Sequence, residues 1–170
     1  MNRLVERNYL EINSLNELIE TIPPSKDIKL ELLNPPDFNL SKFFYKQIGK
    51  KYQWIDRLNW TNQKWINYIS QKNILTFVLK DKSDVVGFYE LIFNTEKKGF
   101  EISYFGIFEE YFGKRLGGFL LSDAIKRAFS LGAEKVFVHT CSLDHKNALK
   151  NYLNRGMKIF KEETINLNLT

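Results

Sequence analysis

The sequence predicts a single α/β domain, residues 1–170, built on a mixed, mostly antiparallel twisted sheet that helices flank. Three observations predict this fold: strand patterns separated by tight turns at residues 74–108, a strand–helix–strand unit at residues 100–141, and a final helix and strand. Hairpins make antiparallel pairs, whereas a helical crossover makes a parallel pair. Adjacent parallel strands that diverge leave a cleft at their carboxyl ends, so we expect a cleft between the two central strands.

The first 73 residues alternate short strands with helices. Paired prolines at 23–24 and 35–36 end the elements before them, because proline can neither continue a helix nor donate to a sheet. The stretch from Trp54 to Trp60 is aromatic and lacks periodicity, which indicates an irregular connection. The elements predicted here are a strand at Val5–Ile12, a brief helix opened by the capping box Ser14–Glu17, a strand at Ile28–Leu33, a helix at Leu40–Ile48 and a helix from Thr61 to Gln71.

The pattern after residue 73 is a meander followed by a crossover. Turn signals at Asp81–Asp84 and Thr95–Gly99 separate three strands. The helix after them has polar residues on one face and apolar residues on the other, and Gly132 suits its end. The predicted elements are strands at Ile74–Leu79, Val85–Phe93 and Phe100–Phe108, a helix at Leu116–Leu131, a strand at Lys135–Cys141, a helix at His145–Arg155 and a strand at Lys158–Leu167.

Composition limits the classes of protein that fit. No apolar run approaches the roughly 18 residues that span a bilayer, and the N-terminal residues lack the apolar core of a signal peptide. A single cysteine, Cys141, excludes an internal disulfide and fits a reducing compartment, so we expect a cytoplasmic protein without a membrane partner. One cysteine and two histidines argue against a zinc site of the Cys/His type.

The net charge of +5 is spread along the chain rather than concentrated in a stripe or tail. A nucleic-acid-binding domain would be expected to concentrate its basic residues, so we expect no nucleic-acid partner. A mild positive charge suits an anionic small ligand, although solubility alone explains it equally well.

The most informative segment is a basic, glycine-rich loop between a strand and a helix. Six of the nine glycines lie between Gly106 and Gly156, and the loop itself holds Gly113, Gly117 and Gly118. Glycines let the backbone approach a ligand, and the N-terminus of a helix presents free N–H groups and a positive dipole end. This order of elements favours a phosphorylated ligand.

Two common phosphate loops do not fit the segment. A nucleoside triphosphatase loop requires Gly-Lys followed by Ser or Thr, whereas Gly113 and Lys114 are followed by Arg115, and Phe108 stands where the first glycine should be. The dinucleotide pattern G-x-G-x-x-G also fails, because the spacing from Gly113 to Gly117 is wrong and no acidic residue ends the next strand.

The segment Phe112-Gly-Lys-Arg-Leu-Gly117 resembles the acyl-CoA loop of the GNAT acetyltransferases, usually written [QR]-x-x-G-x-[GA]. Phe112 replaces the usual Gln or Arg, and Arg115 replaces the central glycine, while Gly117 is retained. The order of elements from Ile28 to Leu167 is similar to the family order.

The last helix adds to this resemblance. The family ends it with Tyr-x-x-x-Gly-Phe, and here Tyr152 is followed by Gly156 and Met157. Residues 138–156 also resemble a particular bacterial subgroup of the superfamily.

The resemblance implies acetyl-CoA as co-substrate and no metal. It places Tyr152 at the position of the general acid, the backbone N–H near Ile107 at the developing oxyanion, and His145 where the family commonly has asparagine. A glycine-rich turn, a solvated basic pair, a core tyrosine and a surface histidine are the simpler readings of the same residues. The expected cofactor-binding residues are Ile107, Phe112, Gly113, Lys114, Arg115, Leu116, Gly117, Gly118 and His145.

Proton removal from the acceptor amine requires a base, for which Glu101 is the first candidate and Glu90 the second. A carboxylate on a mostly apolar strand indicates a cleft, although the exposed face of a sheet explains it equally well. Trp54 and Trp60 are candidates for the acceptor pocket, with Glu90 beside them.

Other side chains invite simpler readings. Trp65 and Tyr68 have helical spacing and read as core. His139 reads as a satisfied core or cleft histidine, and Cys141 as an inert buried thiol.

The function predicted is transfer of the acetyl group of acetyl-CoA to a primary amine, by direct attack in a ternary complex. The acceptor is a small molecule or a peptide, and the protein is a monomer or homodimer. The alternative is a non-catalytic acyl-CoA-binding sensor or partner protein, which the departures at Phe112 and Arg115 motivate.

Overall fold

The computed structural model describes residues 2–168. Across these residues seven strands and four α-helices are joined by loops and short 3-10 turns. The strands are β1 (Asn2–Ile12), β2 (Ile28–Leu32), β3 (Ile74–Asp81), β4 (Asp84–Asn94), β5 (Gly99–Ile107), β6 (Lys135–Cys141) and β7 (Lys158–Asn168). The helices are α1 (Phe38–Gly49), α2 (Asn62–Ile69), α3 (Leu116–Ser130) and α4 (Ala148–Asn154). None of the helices described is long and apolar enough to cross a bilayer.

The seven described strands form one sheet in the order β2-β3-β4-β5-β6-β1-β7. Neighbours within it are antiparallel except β5 and β6, which are parallel and joined through the crossover helix α3. The predicted mixed sheet, with its meander and its parallel pair, is therefore confirmed. The sequence did not indicate that β1 would lie between β6 and β7.

β5 and β6 separate soon after they pair. The parallel ladder joins Gly99–Glu101 to Lys135–Phe137. On its other edge β5 stays paired with β4 as far as Ile107. Ser103 forms a bulge in β5, because its neighbours Ile102 and Tyr104 pair with the consecutive residues Leu91 and Glu90. Because a bulge bends its strand, it favours divergence of the two parallel strands. The gap opens toward their carboxyl ends.

Helices cover both faces of the sheet. α3 and α4 pack on one face, against a core whose side chains from several strands are almost inaccessible. α1 packs on the other face, where Phe44 stacks on Phe88 with ring centroids 4.7 Å apart. The apolar face predicted for α3 is buried at Leu120, Leu121, Ala124, Ile125 and Ala128 and partly buried at Phe129. Ser122, predicted on the polar face, is also buried, and its hydroxyl accepts a hydrogen bond from the Thr21 N–H at 2.9 Å.

Some predicted element boundaries were wrong, for local reasons. The last helix begins at Ala148 rather than His145, because His145 Nδ1 accepts a hydrogen bond from the Asn147 N–H at 3.1 Å and holds the intervening residues in a turn. The brief N-terminal helix is a single 3-10 turn at Leu15–Glu17, which the Ser14 side chain caps.

A buried ion pair fastens the α1–α2 connection to the sheet. The Arg57 guanidinium lies 3.0 and 2.8 Å from the two carboxylate oxygens of Glu90 on β4, and the two side chains are only 7% and 2% exposed. Tyr68 of α2 and Ser103 at the β5 bulge donate to the same carboxylate at 2.7 and 2.6 Å. One carboxylate therefore joins the connection, α2 and the bulge.

Aromatic rings enclose the Arg57 guanidinium. Its central carbon lies 4.3 Å from the ring centroid of Tyr68 and 4.4 Å from that of Tyr104, within the range of cation–π attraction. Burial by itself would lower the pKa of Arg57, but the hydrogen bonds and the charge of Glu90 outweigh burial and raise the pKa. Arg57 is thus a permanent cation that holds the connection in place.

We predict that Arg57→Met lowers the free energy of unfolding by about 3–5 kcal/mol, because it leaves the Glu90 carboxylate buried without its cation. The double variant Arg57→Met/Glu90→Gln should lose less, since the unpaired charge is also removed. Urea unfolding measures both. Lys126→Met, which breaks an ion pair that is about half exposed, is the control and should change stability little. A loss from Arg57→Met no larger than that of this control would contradict the prediction.

Candidate functional site

A cleft of about 1100 Å³ lies where β5 and β6 diverge. Its walls come from the carboxyl half of β5, the end of β6, the N-terminus of α3, the loop before α4 with α4 itself, and the α1–α2 connection. The cleft predicted between the two parallel strands is therefore present.

The N-terminus of α3 borders the cleft with unused hydrogen-bond donors. Gly113 and Arg115 have positive φ angles of 78° and 61°, and these reverse the chain before the helix begins at Leu116. None of the backbone N–H groups from Gly113 to Gly118 donates to a group that the structure describes. The free amides at the start of α3 and the positive end of the α3 dipole lie together, and such an arrangement can bind an anion.

The adjacent glycines Gly117 and Gly118 differ in the space that surrounds them. A Cβ on Gly118 would lie 2.6 Å from Arg155 Nη1 and 3.0 Å from Thr21 Oγ1, so a larger residue would displace side chains of the protein itself. A Cβ on Gly117 would meet only Asn151 Nδ2, at an ordinary 3.7 Å. Internal packing therefore does not require glycine at 117, whereas close approach of a ligand would.

Only one of the two basic residues of the loop, Lys114 and Arg115, lines the cleft. Arg115 lines the cleft. Lys114 is outside the lining, and its Nζ lies 4.9 Å above the ring of Tyr111. Of the two basic residues among the expected cofactor-binding residues, Arg115 is the one that lines the cleft.

β5 directs backbone donors toward the cleft. The Phe108 N–H donates to the Val86 carbonyl at 3.0 Å, which makes Gly87 and Ile107 a pair that is not hydrogen-bonded in the antiparallel ladder. The Ile107 N–H therefore points away from β4, to the side on which β6 has diverged. By the same alternation the Phe105 N–H has the same direction.

Tyr152 of α4 lines the cleft, and no described residue pairs with its hydroxyl group. The residue is 6% exposed, and its ring centroid lies 6.2 Å from that of Phe105. The hydroxyl makes no hydrogen bond with any residue that the structure describes. Burial, reinforced by the charge of Asp144, raises the pKa of Tyr152, so the phenol keeps its proton.

The loop before α4 supplies the carboxylate near Tyr152 and a ring at the cleft wall. Asp144 Oδ2 accepts hydrogen bonds from Thr140 Oγ1 at 2.7 Å and from the Cys141 N–H at 2.9 Å, which fixes the turn. The ring of His145, the next residue, contacts the ring of Phe112 edge to face, with centroids 5.1 Å apart. Phe112 and His145, both predicted cofactor-binding residues, are thus in contact at the cleft wall.

Glu101 and His139 face one another across the start of the divergence. His139 Nδ1 lies 3.6 Å from Glu101 Oε1, and the side chains are 40% and 32% exposed. Both line the cleft. His139 is therefore a cleft histidine and not a core histidine.

Cys141 also lines the cleft and is partly buried. Burial and the charge of Asp144 raise the pKa of its thiol, which keeps the sulfur protonated and weakly nucleophilic.

Of the predicted acceptor-pocket residues, Trp54 lines the cleft, whereas Glu90 and Trp60 are outside its lining. Glu90 is held by Arg57, and the ring centroid of Trp60 lies 4.9 Å from the Arg57 guanidinium and 5.1 Å from the ring of Trp65. Both residues belong to the aromatic cluster beside the cleft. Asp56 lines the cleft but was not predicted, and only its place in the irregular stretch between Trp54 and Trp60 could have indicated it.

Comparison with solved structures shows the fold. A GCN5-related N-acetyltransferase from Sphaerobacter thermophilus superposes with a TM-score of 0.70 at 15% identity, over 97% of this chain and 52% of that one. A GCN5-related N-acetyltransferase from Kribbella flavida gives 0.69 at 11% identity, over 97% and 58%. An aminoglycoside acetyltransferase from an uncultured soil metagenomic sample gives 0.63 at 16% identity, over 77% and 88%.

The chain is shorter than several of these relatives. It spans between 52% and 62% of the length of the first three solved structures that it matches. No curated protein matches it in sequence. The model of the acetyltransferase (GNAT) family matches residues 37–157, which include the loop at Gly113–Gly118 and Tyr152. This chain therefore belongs to the GNAT acetyltransferase family.

Proposed function

We propose that this protein transfers the acetyl group of acetyl-CoA to a primary amine by direct attack within a ternary complex. One observation carries the proposal: among the described residues, one cleft has backbone donors without a partner at the start of α3 and, at another wall, the protonated hydroxyl of Tyr152, which also has no partner there. The donors suit an anionic group, and the hydroxyl suits a leaving group that needs a proton.

The α3 end of the cleft fits the diphosphate of CoA. Several amide donors and a helix dipole can bind a diphosphate, the open space beside Gly117 admits its close approach, and Arg115 adds a cation. The contacting rings of Phe112 and His145 would form one part of the wall beside the same ligand.

Two groups are suited to the transfer itself. The Ile107 N–H, directed away from β4, would stabilise negative charge on the thioester oxygen as the amine attacks. The Tyr152 hydroxyl would donate its proton to the departing sulfur. We assign removal of a proton from the acceptor to the part of the cleft that holds Glu101.

The acceptor would enter beside Trp54 and Asp56, where the α1–α2 connection forms the wall. We propose that the acceptor is a small-molecule or peptide amine. The enzyme would act in the cytoplasm as a monomer or homodimer. The structural similarity to an aminoglycoside acetyltransferase supports a small-molecule amine.

The second candidate function is acyl-CoA binding without catalysis. Arg115 favours it, because this non-glycine residue adopts φ 61° at the position where the family loop has its central glycine. Both functions require the same ligand, so they differ in turnover and not in binding.

We predict that acetyl-CoA binds with a dissociation constant below the millimolar range in titration calorimetry. Gly117→Ala should weaken binding by about tenfold, because a methyl group would occupy the space that the ligand needs. Lys114→Ala is the matched control from the same loop and should change binding less, since Lys114 is outside the cleft lining. Absence of binding by the wild type at millimolar ligand would end the proposal.

We predict that Tyr152→Phe lowers turnover by about 10²-fold or more and leaves the affinity for acetyl-CoA within about twofold, because the hydroxyl donates a proton only during transfer. The assay is release of free thiol across a panel of amines. Tyr89→Phe removes another buried hydroxyl, one that donates to Asp123 at 2.6 Å outside the cleft lining, and should keep turnover. Binding without thiol release from any amine would favour the non-catalytic function.

A further inference from the structure

The Glu101–His139 pair lies at the point where the two parallel strands separate. Glu101 belongs to the last paired step of the ladder, and His139 is two residues beyond its partner Phe137 on β6. A ligand that binds at the N-terminus of α3 and extends along β5 is directed toward this point. The pair is thus at the inner end of the gap.

The geometry of the pair gives its two members different capacities. The Glu101 carboxylate faces the Nδ1 atom of His139 at 3.6 Å. A carboxylate on that side favours a proton on Nδ1 and leaves the lone pair of Nε2 available. The distance is long for a hydrogen bond, as is common for catalytic pairs before substrate binds. The ring of Tyr9 on β1 lies beside the imidazole, with centroids 5.7 Å apart.

Other carboxylates near the cleft are less suited to accept a proton. Glu90 is outside the lining and is held by Arg57. Asp144 already accepts two hydrogen bonds through Oδ2. Asp56, on the α1–α2 connection, accepts a hydrogen bond from the Tyr104 hydroxyl at 3.4 Å. Two imidazoles line the cleft, and the Nδ1 lone pair of His145 is already used by the Asn147 N–H, whereas Nε2 of His139 can accept a proton when Nδ1 carries one.

We infer that His139 Nε2 takes the proton from the acceptor amine, and that Glu101 orients the ring and stabilises the imidazolium that forms. This inference rests on the proposed function. It gives Glu101 the role of a positioning residue, because it acts through His139.

Each proton that moves during amide formation has a donor and an acceptor. An acceptor ammonium loses one proton to His139 Nε2, and the freed electron pair forms the C–N bond as the C–S bond breaks. The sulfur receives the Tyr152 proton, and the second proton of the amine restores the Tyr152 hydroxyl. His139 then releases its proton to solvent, to which its side chain is 40% exposed.

The kinetics of three variants test whether His139 is the base and Glu101 acts through it. His139→Ala should lower turnover by about 10²- to 10⁴-fold without changing the affinity for acetyl-CoA, and added imidazole should restore part of the rate. Glu101→Gln should cost less, about tenfold, and the double variant should be no slower than His139→Ala. A larger loss from Glu101→Gln than from His139→Ala, or full activity of His139→Ala, overturns the inference.

A second measurement does not depend on activity. The chain has two histidines, and nitrogen NMR in alkaline buffer, where imidazoles are neutral, distinguishes their tautomers. His139 should carry its proton on Nδ1, and Glu101→Leu should remove that preference. His145 is the internal control, with its proton on Nε2, because its Nδ1 accepts from the Asn147 N–H.

The outcomes separate this inference from the proposed function. An Nε2–H tautomer at His139 in the wild type overturns the inference even if the enzyme is active. Thiol release that depends on Tyr152 but not on His139 overturns the inference and keeps the acetyltransferase. A wild-type chain that binds acetyl-CoA but turns over no amine overturns both.

Discussion

The shape of the cleft depends on the contacts of one buried carboxylate, that of Glu90. It binds the Arg57 guanidinium, the Tyr68 hydroxyl and the Ser103 hydroxyl, which belong to three different segments. A buried charge is costly unless each of its hydrogen-bonding positions is satisfied, so this carboxylate constrains all three partners together. Because Ser103 is at the β5 bulge and Arg57 follows the cleft-lining Asp56, the same contact sets the course of β5 and the position of the opposite wall.

The functional groups follow from this arrangement of backbone. Once β5 has parted from β6, its alternating N–H groups have no neighbouring strand and face the gap. The crossover that makes the strands parallel also places the N-terminus of α3 at the open end of that gap. One cavity is therefore lined by residues from three parts of the chain, which are the loop and start of α3 (Gly113 and Arg115–Gly118), Ile107 of β5 and Tyr152 of α4.

Much of this could be predicted from the sequence, because it depends on local patterns. Turn signals and hydrophobic periodicity predicted the meander, the crossover and the face of α3, and the loop motif predicted where the cleft would be. The sequence could not show that Glu90 is buried against Arg57, since their pairing joins residues 33 positions apart. For the same reason it assigned Glu90 and Trp60 to the pocket, and it did not associate Glu101 with His139.

The position of β1 has a consequence for how the chain acquires this fold. β1 lies between β6 and β7, and within the described sheet it is the neighbour that connects β7 to the rest. β1 must therefore wait for β6, more than 100 residues later in the sequence, before it gains its first strand partner. Such distant pairing slows folding, because a long loop must close before any hydrogen bond forms. The β6 side of the cleft therefore gains its antiparallel neighbour from a strand more than 100 residues earlier in the sequence.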